Sequence, residues 1–216
     1  MPAIGITGGI STGKSTFSDC LREFLPEASF FNADKAAREV VDLDPEARKE
    51  ITGAFGADIF SASGDLNRER LRAIVFHSAE QRTALEKILH PRIRRRWNAE
   101  ARTHRNSSNF FFADIPLLYE TGGETLCDRV VVVACAPEIQ LARLLRRRGV
   151  AFQPMSHRQD ADATAEAEKI INSQMPLNEK IARADHVVWN DGDRVVLERQ
   201  AKVLVDLWQN ESWAKM

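Results

Sequence analysis

The sequence of 216 residues has few cysteines, and their arrangement is typical of neither a metal site nor a disulfide framework. Cys20, Cys127 and Cys135 are odd in number, and they lack a CxxC spacing or a nearby histidine at metal-ligand spacing. Disulfide-stabilised domains and structural zinc sites both depend on such spacings. We therefore expect three reduced, buried thiols that take no part in the chemistry.

Long apolar runs and an excess of charge of one sign are also missing. No run of about 18 apolar residues occurs, so no membrane-spanning helix is predicted. The first residues, MPAIGITGG, lack the basic segment and apolar core of a secretory leader, so we expect a cytoplasmic location. The formal net charge of -1 gives no global reason to expect nucleic acid or an anionic membrane as a partner. The sequence does not specify an oligomeric state.

Five short apolar runs predict the strands of a sheet: AIGI at 3–6, SFFN at 29–32, FFFA at 110–113, RVVVVACA at 129–136 and HVVW at 186–189. They are continuous and not alternating, which favours strands covered on both faces, as in a parallel sheet. Helix-like segments lie between them at 14–24, 34–42, 68–104 with breaks, 137–148, 163–184 with a break at Pro176, and 193–209. This alternation predicts an α/β fold with a mostly parallel sheet flanked by helices.

The length of the chain favours one domain over residues 1–216, because 44% hydrophobic residues suit one core with insertions. The stretch from about 45 to 105 has no good strand, and we interpret it as a helical insertion, a kind of insertion that can form a second wall over a cleft. The segment GVAFQPMSHRQDADAT at 149–164 is the most loop-like part of the chain. It is either a mobile lid or an ordinary surface loop.

The stretch GITGGISTGKST at 5–16 carries the clearest motif. Gly8, Gly13, Lys14 and Ser15 match the phosphate-binding pattern GxxxxGK[ST], with an apolar run before it and a helical segment after it. Glycines let backbone N–H groups converge on phosphate oxygens, and the start of the following helix adds partial positive charge. The motif predicts a site for a nucleoside triphosphate with magnesium.

Each residue of this loop has an expected role in binding the nucleotide. Lys14 is expected to contact the β- and γ-phosphates, and Ser15 is expected to place its hydroxyl on Mg²⁺. Thr16 can donate a further hydrogen bond. The expected cofactor-binding set is Ser11, Thr12, Gly13, Lys14, Ser15 and Thr16.

Motifs that usually accompany phosphate hydrolysis are missing. In DIPL at 114–117 a leucine stands where a GTPase has the glycine of DxxG, and the guanine-binding NKxD pattern is absent. Asp114 is followed by Ile115, whereas mechanical ATPases commonly have a catalytic glutamate there. These absences favour transfer of the phosphate over its hydrolysis.

Two aspartates follow predicted strands and are candidates for the site. Asp114 closes FFFAD, so its carboxylate is placed to orient Mg²⁺ through bound water, or it is a turn or capping residue. Asp34 follows SFFN and begins a predicted helix. It is either an N-cap or a general base that accepts the proton of an incoming hydroxyl.

Several separated motifs, in order along nearly the whole chain, resemble the dephospho-CoA kinase family. They are TGGISTGKST, NADKAARE, GDLNRERLRAIVF, LEKILHPRIR, ADIPLLYE, QLARLLRRRG and ADHVVWNDG. The resemblance implies transfer of the γ-phosphate of ATP to the ribose 3′-hydroxyl of dephospho-CoA. It also implies a P-loop kinase core with a helical substrate-binding region and a lid.

The resemblance assigns catalytic roles to three residues and places two departures near them. It makes Asp34 the base of the family's DAD motif, with Lys14 on the phosphates and Arg147 stabilising the transferring group. Asn32 replaces the first aspartate of that motif, and Ser11 replaces the usual glycine of the loop. In the lid region, 151–163 is an apparent insertion, and Lys169 stands where arginine is common.

The resemblance also assigns residues that bind the two substrates. His90, Arg92, Leu117 and Arg143 are expected on the acceptor, and Asn190 of WNDG on the adenine side of ATP. WNDG is alternatively a plain turn, and the basic cluster at 90–105 is alternatively an exposed helical face. Two other functions stay open: another nucleotide or small-metabolite kinase, and a P-loop binding switch or nucleic-acid-associated ATPase.

Overall fold

The computed structural model describes residues 2–104, 109–147, 157–211 and 213, and the side chains of 157–161 are left aside. The chain divides into two compact units. The larger unit contains residues 1–30 and 104–216, and the smaller unit contains residues 31–103. The smaller unit therefore starts earlier in the chain than the expected insertion at 45–105.

A five-stranded sheet belongs to the larger unit, except for Phe31 and Asn32 at the end of its second strand, which fall in the smaller unit. Its strands are β1 (Ala3–Gly8), β2 (Ser29–Asn32), β3 (Phe111–Asp114), β4 (Arg129–Ala134) and β5 (His186–Trp189), in the spatial order β2-β3-β1-β4-β5. β1 pairs in parallel with β3 and β4, and β4 pairs in parallel with β5. All of β4 after Arg129 is buried, as expected for a strand covered on both faces. The predicted mostly parallel sheet is confirmed.

The helices alternate with the strands in the larger unit and make up most of the smaller one. They are α1 (Lys14–Phe24), α2 (Ala33–Leu43), α3 (Pro45–Phe55), α4 (Arg68–His77), α5 (Ala79–His104), α6 (Pro137–Arg147), α7 (His157–Asn172), α8 (Leu177–Ala182) and α9 (Arg194–Asn210). Two 3₁₀ turns lie at Ala57–Ile59 and Gly123–Leu126. In the part of the chain described, no helix is long and apolar enough to span a bilayer.

The core of the larger unit fixes the helix that follows the phosphate loop. In α1 the apolar residues Phe17, Cys20, Leu21 and Phe24 recur at helical spacing, and the first three are completely buried. They pack in one cluster with sheet residues and with Trp208 of α9, which is also fully buried. Burying one such large side chain contributes about 1.5–3 kcal/mol, so the start of α1 has a well-defined position.

The smaller unit has a hydrophobic core of its own. Asp44 caps α3 by accepting hydrogen bonds from the backbone N–H groups of Glu46 and Ala47, and Pro45 occupies the first helical position. The buried cluster of the smaller unit consists of Val40, Val41, Ala47, Ile51, Phe55, Ile59, Leu71 and Ile88. This separate core explains why residues 31–103 form a compact unit.

The structure corrects several predicted boundaries. β3 runs from Phe111 to Asp114, one residue later than predicted, and β4 ends at Ala134. The predicted break at Pro176 is confirmed, since it separates α7 from α8. The loop predicted at 149–164 is wrong over 157–162, because α7 begins at His157 and not at the predicted residue 163. Helix α7 contains four alanines at 161–167, and the high helix propensity of alanine outweighs the lack of apolar periodicity. Residues 149–156 of the expected lid lie outside the described residues.

Candidate active site

The glycines of the phosphate loop stand where a side chain has no room. Gly8 ends β1, and a Cβ placed there would lie 2.3 Å from the carbonyl oxygen of Val133. Gly13 precedes α1 with φ +99°, and a Cβ there would lie 2.0 Å from Nδ2 of Asn190. The motif thus has the strand, turn and helix context that phosphate binding requires.

Ser11 occupies an unusual backbone conformation within this loop. Its φ of 60° lies in the left-handed region, where the other described residues with positive φ are glycines. Its hydroxyl oxygen is buried and has no hydrogen-bond partner among the described residues. The serine therefore accommodates the turn that glycine makes in the resembling family, at the cost of local strain.

Side chains from three parts of the larger unit brace the backbone of the loop. The N–H of Ile10 donates to Oε1 of Gln174 at 3.0 Å, and Nε2 of the buried Gln140 donates to the Ile10 carbonyl at 2.9 Å. Inside the loop, the hydroxyl of Thr12 donates to the Gly9 carbonyl at 2.9 Å. The loop is held in shape by the protein itself.

Asn190 supports the phosphate loop from the turn after β5. Its side chain is buried, and Nδ2 donates to the Thr12 carbonyl at 2.8 Å. The Asn190 carbonyl accepts a hydrogen bond from Nη1 of Arg143 at 2.8 Å. WNDG is thus more than a plain turn, because it links α6 to the loop. The predicted contacts of Asn190 with ATP and of Arg143 with the acceptor remain predictions.

The first turn of α1 presents the predicted nucleotide-contacting side chains. The Lys14 ammonium donates to the Gly9 carbonyl at 3.3 Å, folded back over the loop. Ser15 is exposed, and Thr16 is half-buried. Because Lys14 is the first residue of the helix, the backbone N–H groups of the first turn lie at the positive end of the helix dipole.

Asp114 lies at the carboxyl end of β3, beside the strand that leads into the phosphate loop. It is only 7% exposed and stands opposite Ile6 in the β1–β3 register. The position rules out the alternative of a helix cap, since Asp114 is a strand residue. Among the described residues no group of three His, Cys, Asp or Glu could hold a metal alone. Magnesium in kinases commonly has one or two carboxylates and takes its remaining ligands from phosphate and water.

Lys180 is a buried charge that the sequence analysis missed. It is 0% exposed, and its Nζ lies 2.9 Å from Oε1 of Glu120, 2.8 Å from the Pro116 carbonyl and 3.5 Å from the Gly8 carbonyl. One signal was available: Leu177, Lys180 and Ile181 have the spacing of one helix face. A lysine on an otherwise apolar face indicates a paired, buried ammonium.

The smaller unit holds Asp34 in an exposed position on the first turn of α2. The N-cap of this helix is Asn32, whose Oδ1 accepts from the Lys35 N–H at 2.8 Å. The alternative that Asp34 is the N-cap is therefore wrong. Asn32, which replaces an aspartate of the family motif, has a structural role as the helix cap, and the role of Asp34 as a general base remains a prediction.

Arg92 is held by carboxylates of its own unit. Its guanidinium contacts Oε1 of Glu50 at 2.8 Å and Oδ2 of Asp44 at 3.2 Å, and Nη1 donates to the Ile88 carbonyl at 2.8 Å. The hydrogen bonds with Glu50, with support from Asp44, raise the pKa of Arg92 above its ordinary value despite partial burial. These contacts give Arg92 a structural role besides its predicted one in acceptor binding.

The other predicted site residues lie in three places. Half-buried His90 is in α5 of the smaller unit, directly before Pro91. Leu117 lies in the turns after β3, where its carbonyl accepts from the Thr121 N–H at 3.1 Å. Arg147 is exposed at the last position of α6, one turn after Arg143. Their predicted contacts with the acceptor and the transferring phosphate remain predictions.

The three cysteines are free, as predicted. Cys20 and Cys135 are buried, whereas Cys127 is partly exposed. Burial raises the pKa of all three thiols, that of Cys127 to about 12. Since the thiolate is the reactive form, these shifts support the expectation that the cysteines have no part in the chemistry.

A family model described as dephospho-CoA kinase matches residues 2–195. The chain belongs to the dephospho-CoA kinase family. A dephospho-CoA kinase from a Bacillus cereus strain is 38% identical over 206 residues, which cover 95% of this chain and 96% of the relative. A crystal structure of a Thermus thermophilus protein has a TM-score of 0.72 at 30% identity, covering 95% of this chain and 97% of that one.

The fold agrees with this membership. A dephospho-CoA kinase from Campylobacter jejuni has a TM-score of 0.68 at 24% identity and covers 94% of this chain and 95% of that one. The predicted P-loop kinase fold and the resemblance to dephospho-CoA kinases are both confirmed. Family membership favours an ATP-dependent kinase over the P-loop switch and the nucleic-acid-associated ATPase.

Proposed function

We propose that this member of the family transfers the γ-phosphate of ATP to the ribose 3′-hydroxyl of dephospho-CoA, with Mg²⁺, and forms coenzyme A and ADP. The observation that carries the proposal is the braced phosphate loop between β1 and α1, in a chain that matches the family model over residues 2–195. The loop accounts for the triphosphate, and the family match accounts for the acceptor.

On the donor side, the loop binds the triphosphate through backbone N–H groups and the start of α1. Gly13 lets these N–H groups face the phosphates without a Cβ in the way, and Lys14 contacts the β- and γ-phosphate oxygens. Support comes from the left-handed φ of Gly13 and from the position of Lys14 at the first residue of α1. The braces on Ile10 and Thr12 keep this geometry before ATP arrives.

The residues that would hold Mg²⁺ are Ser15, through its exposed hydroxyl, and Asp114, through water. Both lie at the carboxyl edge of the sheet in the larger unit, and hydroxyl and carboxylate oxygens are suitable ligands for a hard cation. A magnesium ion held by these oxygens would supply positive charge that offsets the negative charge developing on the phosphates during transfer.

The transfer step forms one bond and breaks one. The 3′-hydroxyl oxygen bonds to the γ-phosphorus, while the bond from that phosphorus to the β,γ-bridging oxygen breaks and ADP leaves with the electron pair. The hydroxyl proton passes to the carboxylate of Asp34. An exposed carboxylate on the first turn of α2, with capping already supplied by Asn32, supports this role. Arg147 stabilises the transferring group, and His90, Arg92, Leu117 and Arg143 contact the acceptor.

An acceptor screen tests the proposal. The purified protein is incubated with ATP and Mg²⁺ and with dephospho-CoA, adenosine or AMP, and products are identified by mass spectrometry and ³¹P NMR. We expect one ADP per coenzyme A, with the new phosphate on the 3′-oxygen. A Lys14→Ala preparation purified in the same way controls for contaminating kinases. Faster phosphorylation of another acceptor, or ADP formation that ignores dephospho-CoA, would contradict the proposal.

A further inference from the structure

Lys180 lies at a junction between two segments that carry predicted site residues. Its ammonium is 2.8 Å from the carbonyl oxygen of Pro116 and 3.5 Å from that of Gly8. Gly8 is the last residue of β1 and opens the phosphate loop, and Pro116 follows Asp114 by two residues. The Lys180 ammonium therefore contacts the backbone at the carboxyl end of β1 and just after the carboxyl end of β3.

A carboxylate completes this cluster. Oε1 of Glu120 accepts from the Lys180 ammonium and from the Met175 N–H, each at 2.9 Å. The hydroxyl of Thr7 also donates to the Pro116 carbonyl, at 3.1 Å. The three protons of the Lys180 ammonium thus face three oxygen acceptors, on Glu120, Pro116 and Gly8. The hydrogen bond from the Met175 N–H to Glu120 also joins the segment between α7 and α8 to the turns that follow β3.

Complete burial gives this ammonium a strong preference for one arrangement. Lys180 is 0% exposed, whereas the Glu120 side chain is 22% exposed. An ammonium without its partners in such a place is strongly unfavourable, so any displacement of Gly8 or Pro116 loses hydrogen bonds that no water replaces. A neutral side chain of similar length would fill the space but would not set the distance between the two carbonyls.

We infer that Lys180 is a positioning residue that sets the spacing between the phosphate loop and the segment 114–120, and hence between the bound triphosphate and Asp114. The inference rests on the proposed function, because it gives the segment 114–120 a part in magnesium and acceptor binding. Lys180 itself touches neither substrate in this scheme. It acts through the backbone of Gly8 and Pro116.

The test replaces the ammonium and measures local order and turnover separately. In Lys180→Met we expect amide hydrogen exchange to become about tenfold faster in both 9–13 and 115–121, because both segments lose the same anchor. We expect kcat to fall about 100-fold, the scale of a small misplacement of reacting groups, while the Kd for ATP changes less than about threefold. Both are measured at a temperature where circular dichroism shows the variant folded.

A second variant and a matched control distinguish loss of the anchor from general destabilisation of the protein. Glu120→Gln keeps an oxygen acceptor and removes the charge, and we expect the same two segments to exchange faster, by a smaller factor. Lys202→Met is the control, because it makes the same substitution at an exposed lysine whose ion pair with Asp206 lies within α9 and contacts neither Gly8 nor Pro116. It is expected to leave exchange in both segments and kcat unchanged.

The outcomes separate this inference from the proposed function. Unchanged exchange in 9–13 and 115–121 in both Lys180→Met and Glu120→Gln overturns the positioning role, whatever the enzyme phosphorylates. A folded Lys180→Met with wild-type kcat overturns its consequence for transfer. A wild-type protein that makes no coenzyme A contradicts the proposed function, while the exchange measurement still decides whether Lys180 holds the two segments.

Discussion

Single atoms decide how the phosphate loop is built, and Gly13 is the clearest example. The Nδ2 atom of Asn190 lies where a Cβ of residue 13 would be, and the same amide donates to the Thr12 carbonyl. A side chain at position 13 therefore displaces the group that braces the loop. The left-handed φ of +99° adds strain for any residue with a Cβ.

We predict that Gly13→Ala weakens both ATP binding and folding. The left-handed backbone alone costs about 1–2 kcal/mol, so thermal unfolding is expected at least about 2 °C lower. Gly53→Ala is the matched control, because a Cβ there would meet no atom of the described residues within 4 Å and the residue lies inside α3. That control is expected to stabilise by about 0.5–1 kcal/mol. Calorimetry with and without ATP checks both variants, and wild-type ATP affinity in Gly13→Ala would contradict the role of the brace.

We predict that Asp34→Asn binds ATP almost normally but transfers phosphate about 10²- to 10⁴-fold more slowly, the usual loss when a general base is removed. Because Asn32 caps α2, the substitution leaves the helix start intact. Asp42→Asn, on the same helix and in an exposed ion pair with Arg68, is the control and is expected to keep near-wild-type turnover. Single-turnover kinetics separate transfer from binding, and a normal transfer rate in Asp34→Asn would refute the base assignment.

At the scale of elements, α6 carries two arginines with different expected roles near its C-terminal end, half-buried Arg143 and exposed Arg147. Arg143 and Arg147 are one helical turn apart, and Arg143 is tied to the Asn190 carbonyl. Arg146, also exposed, is the residue before Arg147 and faces another side of the helix. This geometry makes Arg146 a suitable control for Arg147.

We predict that Arg147→Ala lowers kcat about 100-fold, with a smaller effect on ATP affinity, because its charge acts when negative charge moves between donor and acceptor. Arg146→Ala is expected to keep wild-type kcat. Steady-state kinetics at saturating ATP and dephospho-CoA checks both. A silent Arg147→Ala beside an impaired Arg146→Ala would show that the wrong arginine was chosen.

The N-cap of helix α3 makes the stability of the smaller unit depend on pH in the acid range. The N–H of Ala47 lowers the pKa of Asp44 below its ordinary value of 3.8, and Arg92 and the Glu46 N–H lower it further. A depressed folded-state pKa means that the unfolded chain binds the proton more readily. The stabilisation is therefore present above pH 3.8 and is lost as the pH falls through the folded pKa.

We predict that Asp44→Ala lowers the melting temperature by about 2–4 °C at pH 7 and reduces the loss of stability between pH 4 and pH 2. Asp44→Asn keeps the capping oxygen, so its melting temperature at pH 7 is expected to lie between those of wild type and Asp44→Ala. Thermal melts across this pH range measure both effects. An acid profile of Asp44→Ala that parallels the wild type would contradict the role of this carboxylate.

At the scale of the whole molecule, local patterns predicted the sheet and the phosphate loop well. Continuous apolar runs located all five strands, because a strand buried on both faces needs no alternation, and the glycine motif located the turn before α1. The division into a unit at 31–103 was less predictable. Its boundary depends on a second core, formed by residues such as Ile51 and Leu71 that are far apart in sequence.

Contacts between distant segments account for what sequence reasoning missed in the site. The amide of Asn190 reaches the loop across 178 residues, and Lys180 reaches Gly8 across 172. No local pattern specifies such pairs. Asn32 illustrates the same limit at short range, because Asn and Asp are equally good caps and only the structure shows which residue caps α2.

The central claim is that phosphate moves from ATP to the 3′-hydroxyl of dephospho-CoA and not to water. The most direct measurement runs the reaction in ¹⁸O-enriched water and analyses the phosphate groups by mass spectrometry and ³¹P NMR. We predict coenzyme A whose 3′-phosphate contains no oxygen from water, formed in equal amount to ADP. Accumulation of ¹⁸O-labelled inorganic phosphate in step with ADP, with dephospho-CoA left unmodified, would contradict the account.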